Sequence, residues 1–333
     1  MKLKDIQLSH ISRYRGELMG FAMFVIVLFH VGLPRHDLFF GLKRMGNIGV
    51  DLFFFLSGMG LWFSWSRQPL FRQFVKRRFL RIYPAWLIMA SLYYVPRYLQ
   101  GAGSSSSVVD LMGDIFINWD FWFHDELTFW YIPATMMLYL VAPAYMSLIG
   151  KHPVYRWLPA VMMIWCVAVT WVGPIHRSVG HIEIFWSRVP VFLIGINVGQ
   201  WVKEHRTIEA ASWWLILLTF VLCLASCIYM EQQLHGRFPL FVERMVYIPL
   251  TLTAVLLLCR LFEAWPTLCN KTLHFIGLIS LEIYLIHSHF VLVHIERWHL
   301  HYWVTALLCI GFTLPPAWLL HKIAGWIERR IGK

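Results

Sequence analysis

Ten apolar stretches, each close to the length that crosses a bilayer, follow one another along this chain. They fall at residues 16–33, 46–65, 80–98, 129–149, 157–173, 184–202, 212–230, 244–262, 272–293 and 302–321. A membrane helix needs roughly 20 apolar residues. Hydrocarbon holds no water to satisfy the backbone, so such segments close their own hydrogen bonds as helices. Composition agrees: 59% of the 333 residues are hydrophobic and 14% are charged, against about 25% charged in soluble domains. The pattern predicts an all-α polytopic membrane protein of about ten transmembrane helices, in one domain covering residues 1–333. The first run follows Lys2 and Lys4 much as a signal peptide would. Pro34 and charged residues come after it rather than a small-residue cleavage site, which predicts a retained span. Six cysteines (Cys166, Cys223, Cys227, Cys259, Cys269 and Cys309) lie mostly in apolar runs without metal-ligand spacing. They imply packing rather than a disulfide framework or a metal site.

The net charge of +11 does not argue for nucleic acid, because its distribution follows membrane topology. Lys and Arg mark the cytoplasmic ends of spans. A cytoplasmic N-terminus places most of the 29 Lys and Arg residues on that side, including the cluster from Arg67 to Arg81 and the group after the tenth run. Both termini are therefore expected in the cytoplasm. The longest link, 99–128, falls outside with Asp110, Asp114, Asp120, Asp125 and Glu126. A solvated acidic face is its default role, with acceptor selection as the alternative. The four serines at 104–107 form the low-complexity patch.

Ionisable groups inside membrane spans are costly and commonly mark functional sites. His30 and Asp51 lie in adjacent runs near the outer ends of their helices, and His287 reaches the same outer third. His30 is a candidate general base, since imidazole titrates near neutral pH, with a packing histidine as the alternative. Asp51 is expected to orient its ring, or else to be a plain helix-start acid. Ser280, Tyr284 and His287 share one face of the ninth run, which aims Glu282 elsewhere. Arg188, near the outer end of the sixth run, is expected to pair with an acid or to line a cavity. On the cytoplasmic side Arg78 and Arg81 are neighbours on one helix face, close to Lys76. They suit either lipid headgroups or bidentate recognition of a phosphate. About fifteen residues separate His30 from the cytoplasmic end of its helix, or roughly 22 Å. A donor with phosphates at Arg78 and Arg81 therefore needs a long, thin arm of the pantetheine kind.

Six segments in this order resemble the acyltransferase-3 family of integral membrane O-acyltransferases. They are VLFH ending at His30, GVDLFFFLSG (49–58), KRRFLRIYPAW (76–86), WYIPATMMLYLVAP (130–143), RVPVFLIGINVG (188–199) and ISLEIYLIH (279–287). The resemblance implies ten membrane helices and transfer of an acyl group, usually acetyl, from cytoplasmic acyl-CoA to a hydroxyl, often on a glycan. By it, His30 matches the first-span histidine, and Arg78 and Arg81 match an RxxR motif at the donor side. Members commonly carry an arginine eleven residues before that histidine, where this chain has Met19. Arg15, one turn further away and about 60° around the helix, could partly substitute.

The combined expectation is a stand-alone membrane O-acyltransferase of a bacterial cytoplasmic (inner) membrane. Acetyl-CoA or another acyl-CoA would be the donor and a cell-surface or lipid-linked glycan the acceptor, without metal or nucleic acid. His30 and Asp51 would serve catalysis, Arg15, Lys76, Arg78 and Arg81 the donor, and Arg188, Ser280, Tyr284 and His287 the acceptor. A proton-coupled transporter using His30 and Asp51 as a relay is the alternative from another class, and a non-catalytic family member is a third.

Overall fold

The computed structural model describes residues 5–102, 105–234 and 237–332. Lys2, Lys4 and Ser104, used in the charge and composition arguments above, lie outside those residues. A helix occurs at each of the ten apolar stretches. The main helices are α1 (Arg15–His30), α2 (Ile48–Arg67), α3 (Phe71–Leu99), α4 (Tyr131–Lys151), α5 (Leu158–Trp171) and α6 (Val189–Lys203). They continue with α7 (Ser212–Gln232), α8 (Leu240–Ala264), α9 (Thr267–Leu278), α10 (Ser280–Ile286) and α11 (Tyr302–Ile331). Strand structure among the described residues is one two-residue ladder, Ile6–Gln7 with Thr207–Ile208.

Six of these helical segments are long and apolar enough to cross a membrane, or eight if each of two bent pairs is one span. The expected ten therefore exceeds what length and apolarity support. Two physical reasons account for the difference. Helix α1 has 16 residues, about 24 Å at 1.5 Å per residue, short of the roughly 30 Å hydrocarbon thickness. Helix α3 is long enough, but Arg72, Lys76, Arg77, Arg78 and Arg81 charge its first half.

Close helix crossings hold the bundle. A Cβ on Gly58 of α2 would lie 2.2 Å from the Phe192 carbonyl of α6, and one on Gly195 would lie 2.2 Å from that of Phe55. Small residues of this kind let backbones approach where lipid offers no hydrophobic drive between helices. The ninth run is broken: Thr267–Leu278 and Ser280–Trp298 meet at 64°. The stretch His287–Leu292 is π-helical, a local widening common at functional sites.

The basic links meet at one end of the bundle. Ser12 and Arg15 share a recess with Arg67, Gln68, Arg77 and Arg78. Lys76 and Arg77 share a groove with Arg329, Arg330 and Gly332. The His10 Nδ1–H donates to Glu263 Oε1 at 2.7 Å. Both described ends of the chain thus lie at the same, basic end.

The long acidic link has its own internal structure. Ser107 Oγ accepts from the Asp110 amide at 3.2 Å to cap the helix Val108–Ile117. Asp114 and Asp120 are buried, and Asp114 Oδ1 accepts from the Asp120 amide at 2.9 Å. Burial pushes the Asp114 carboxyl up from its ordinary range. Two of its five acids are thus framework rather than solvated face.

Candidate functional site

A cavity of about 350 Å³ runs along α1 between α2, α3, α4, the α9–α10 break and the far end of α11. Its wall on α1 is Arg15, Met19 and Ile26. Eleven residues separate Arg15 from Ile26, so the cavity follows the helix for about 16 Å. Arg15, Arg78 and Arg81 face its basic end, while Phe53, Tyr131 and Tyr284 line the opposite part. Val50, Phe53 and Ser57 present one face of α2 to it, as their spacing of three and four residues requires.

Arg15 and Arg78 also line the adjoining open recess, so these two side chains stand between it and the inner cavity. Their Nε atoms are buried and carry no protein partner. Gly60 faces the Arg15 guanidinium, where a Cβ would come within 3.2 Å of Nη2. Arg15, singled out from the sequence as a stand-in at Met19, thus shares the cavity with both Arg78 and Arg81.

The cavity lining on α1 stops at Ile26, and His30, one turn further along, and His287 are not part of it. His30, the last residue of α1, is exposed, while His287 is buried at 1% exposure. Their ring centroids are 4.9 Å apart, and His30 Nδ1 lies 3.2 Å from His287 Nε2. His30 Nδ1 is also 2.8 Å from the Ile26 carbonyl. His287 Nδ1 is 2.9 Å from the Ile283 carbonyl and 3.0 Å from that of Tyr284. The Tyr284 hydroxyl accepts from the Tyr131 amide at 3.2 Å. Ser280 Oγ donates to the Gly277 carbonyl at 2.9 Å.

The structure thus gathers Arg15, Arg78, Arg81, Ser280 and Tyr284 on one cavity and pairs His30 with His287 beyond its lining. It separates the others. Asp51 does not contact His30. It is fully buried against Arg188, with Arg188 Nη1 3.0 Å from Asp51 Oδ2. The register explains this: Val50 faces the cavity, and Asp51 sits 100° further round α2, toward α6. Arg188 pairs with an acid, one of the two roles expected of it, and its Nη2 also donates to Asn47 Oδ1 at 3.1 Å. With no exposed surface it does not line the cavity. Lys76 faces the outer basic groove rather than the inner cavity.

Glu282, expected to point away, lines the cavity. Its Oε1 accepts from His321 Nδ1–H at 2.9 Å. The break at Ile279 lets the cavity wrap around the start of α10, which a straight helix would not allow. His321, Tyr139 and Glu328 also line it and carried no sequence signal. Among the described residues no group of His, Cys, Asp or Glu is placed to hold a metal ion.

These features define a multi-pass helical membrane protein with a cavity that opens toward basic side chains and, beyond its lining, a contacting histidine pair. The chain belongs to the acyltransferase-3 family, described as "Acyltransferase domain", which it matches over residues 18–322. The family supports an acyltransferase reading and does not favour the transporter alternative. The chain is also 28% identical over 140 residues to "Regulator of hypoxia-inducible factor 1" of Caenorhabditis elegans. That alignment covers 38% of this chain and 28% of the worm protein, so the chain spans less than a third of that relative's length. No solved structure matches.

Proposed function

We propose that this protein transfers an acyl group, most simply acetyl, from cytoplasmic acyl-CoA to a hydroxyl of a cell-surface or lipid-linked glycan at a bacterial inner membrane. The observation that carries the reading is the single cavity that runs from Arg15, Arg78 and Arg81 to Ile26, whose carbonyl lies 2.8 Å from His30 Nδ1. Three guanidinium groups on one cavity, Arg15, Arg78 and Arg81, suit a donor that ends in phosphates. Beyond them the cavity is long and mixed in polarity, as a pantetheine arm requires. A compact nucleotide sugar would leave the reacting carbon far from His30.

In this reaction His30 takes the proton of the acceptor hydroxyl as its oxygen attacks the thioester carbonyl carbon. The C–S bond breaks, the new ester forms, and the imidazolium returns the proton to the departing thiolate. The position of His30 at the C-terminus of α1 helps, because the negative end of the helix dipole favours an imidazolium. The Ser280 hydroxyl is engaged with the Gly277 carbonyl, which favours direct transfer over an acyl-serine relay.

The test is calorimetric binding of acetyl-CoA to purified protein in detergent, wild type against Arg78→Ala/Arg81→Ala. Hydrogen bonds to charged groups contribute about 1.5–3 kcal/mol each, so the double variant is expected to lose about 100-fold or more in affinity. A companion assay follows acyl transfer by His30→Ala, expected to fall at least about 100-fold with donor binding intact. A wild type without affinity for any acyl-CoA would sink the reading.

A further inference from the structure

The geometry assigns His287 a task distinct from acceptor binding: it fixes His30 in the tautomer whose Nε2 is a free base, and it receives part of the charge when that base is protonated. The inference rests on the function proposed above and replaces the orienting role that the sequence suggested for Asp51.

A neutral imidazole has one N–H and one lone pair. His287 Nδ1 lies 2.9 Å and 3.0 Å from two backbone carbonyls. A carbonyl only accepts, so the His287 proton sits on Nδ1 and its Nε2 is a bare acceptor. His30 Nδ1 lies 2.8 Å from the Ile26 carbonyl, so its proton also sits on Nδ1. That N–H is 3.2 Å from the bare His287 Nε2, giving a donor shared between a carbonyl and an imidazole lone pair. His30 Nε2 is then the remaining lone pair, carried by the exposed ring, where an acceptor hydroxyl can reach it.

When His30 Nε2 takes the proton, its Nδ1–H becomes a charged donor, and both contacts strengthen. A carboxylate would do the same work with a full charge, as Asp does for the histidine of a catalytic triad. Here the partner is neutral, buried at 1% exposure and held from behind by its own helix. The π-helical stretch begins at His287 itself. The Nδ1 anchor therefore reaches the carbonyls three and four residues before it, in the α-helical part. No charged group needs to be buried beside the base, and the cost of an unpaired carboxylate in the bilayer is avoided.

His287 is therefore a positioning residue, and two conservative variants separate this role from simple packing. In His287→Asn the side-chain amide can still donate to the carbonyls of Ile283 and Tyr284, but nothing stands at the Nε2 position. In His287→Gln the amide oxygen can stand where Nε2 was and accept from His30. Turnover of acyl-CoA with a hydroxyl acceptor is expected to fall about 10- to 100-fold in kcat for His287→Asn, with KM for acyl-CoA unchanged, because His287 does not line the donor cavity. His287→Gln is expected to stay within about threefold of wild type. In a His30→Gln background, His287→Asn is expected to cost nothing further, since the two residues act as one unit.

Equal losses in Asn and Gln, a raised KM for acyl-CoA, or an additive loss in the His30→Gln background would each overturn the assignment. Full activity of His287→Asn would do the same. A fully active His30→Gln would instead remove the proposed base, and the failure would then lie with the function and not with His287 alone.

Discussion

At the scale of single residues, the most informative pair is the one that does no chemistry in this reading. Asp51 and Arg188 each stood out in the sequence as charges inside apolar runs, and each is fully buried. What the sequence lacked was the pairing, which depends on where α2 and α6 cross. Their 3.0 Å contact makes each the solution to the other's desolvation. Removing one partner leaves a buried charge uncompensated, which costs about 3–5 kcal/mol, whereas replacing both with apolar groups is often neutral. We expect Asp51→Leu to lower the unfolding temperature of the detergent-solubilised protein sharply. The double variant Asp51→Leu/Arg188→Met should recover most of the loss and keep acyl-CoA binding. A double variant as unstable as the single one would mean that the pair does more than neutralise itself.

At the scale of elements, α1 and the broken ninth span make the cavity wall together, and glycine decides how closely they meet. A Cβ on Gly20 would lie 1.9 Å from the Leu273 carbonyl, and one on Gly277 would lie 2.0 Å from the Gly16 carbonyl. Backbone cannot move aside as a flexible side chain would. Gly277→Val is therefore expected to push α9 off α1, destabilise the protein by more than the about 1–3 kcal/mol of ordinary overpacking, and weaken acetyl-CoA binding by deforming the wall at Gly277, Leu278 and Ser280. Gly150→Ala, with nothing within 4 Å of its Cβ, is the matched control and should change neither thermal stability nor binding. The sequence showed the face shared by Ser280, Tyr284 and His287 because all three follow the break. It hid the break because no proline marks Ile279, and that in turn misplaced Glu282, which a straight helix would have carried away from the cavity.

At the scale of the whole molecule, the helical class and the order of elements were legible because bilayer physics leaves a long apolar segment little freedom. The number of crossings was less so, since a 16-residue helix and a half-charged one both read as spans. Basic links, N-terminal residues and the end of α11 meet at one end of the bundle. Which side of the membrane that end faces is a matter of charge, and the distribution of Lys and Arg predicts the cytoplasm. Cys269 offers the test, because it is the exposed cysteine of the six and lies in the first turn of α9, just after Pro266. That turn follows the Glu263 tied to His10, so it belongs to the basic end. A membrane-impermeant maleimide is expected to label wild type in inside-out vesicles and to spare it in right-side-out ones, with Cys269→Ser unlabelled in both. Labelling confined to right-side-out vesicles would leave the fold untouched but turn Arg15, Arg78 and Arg81 to the outside, where no acyl-CoA is supplied. The donor route and the orientation therefore stand together, and this one experiment reaches both.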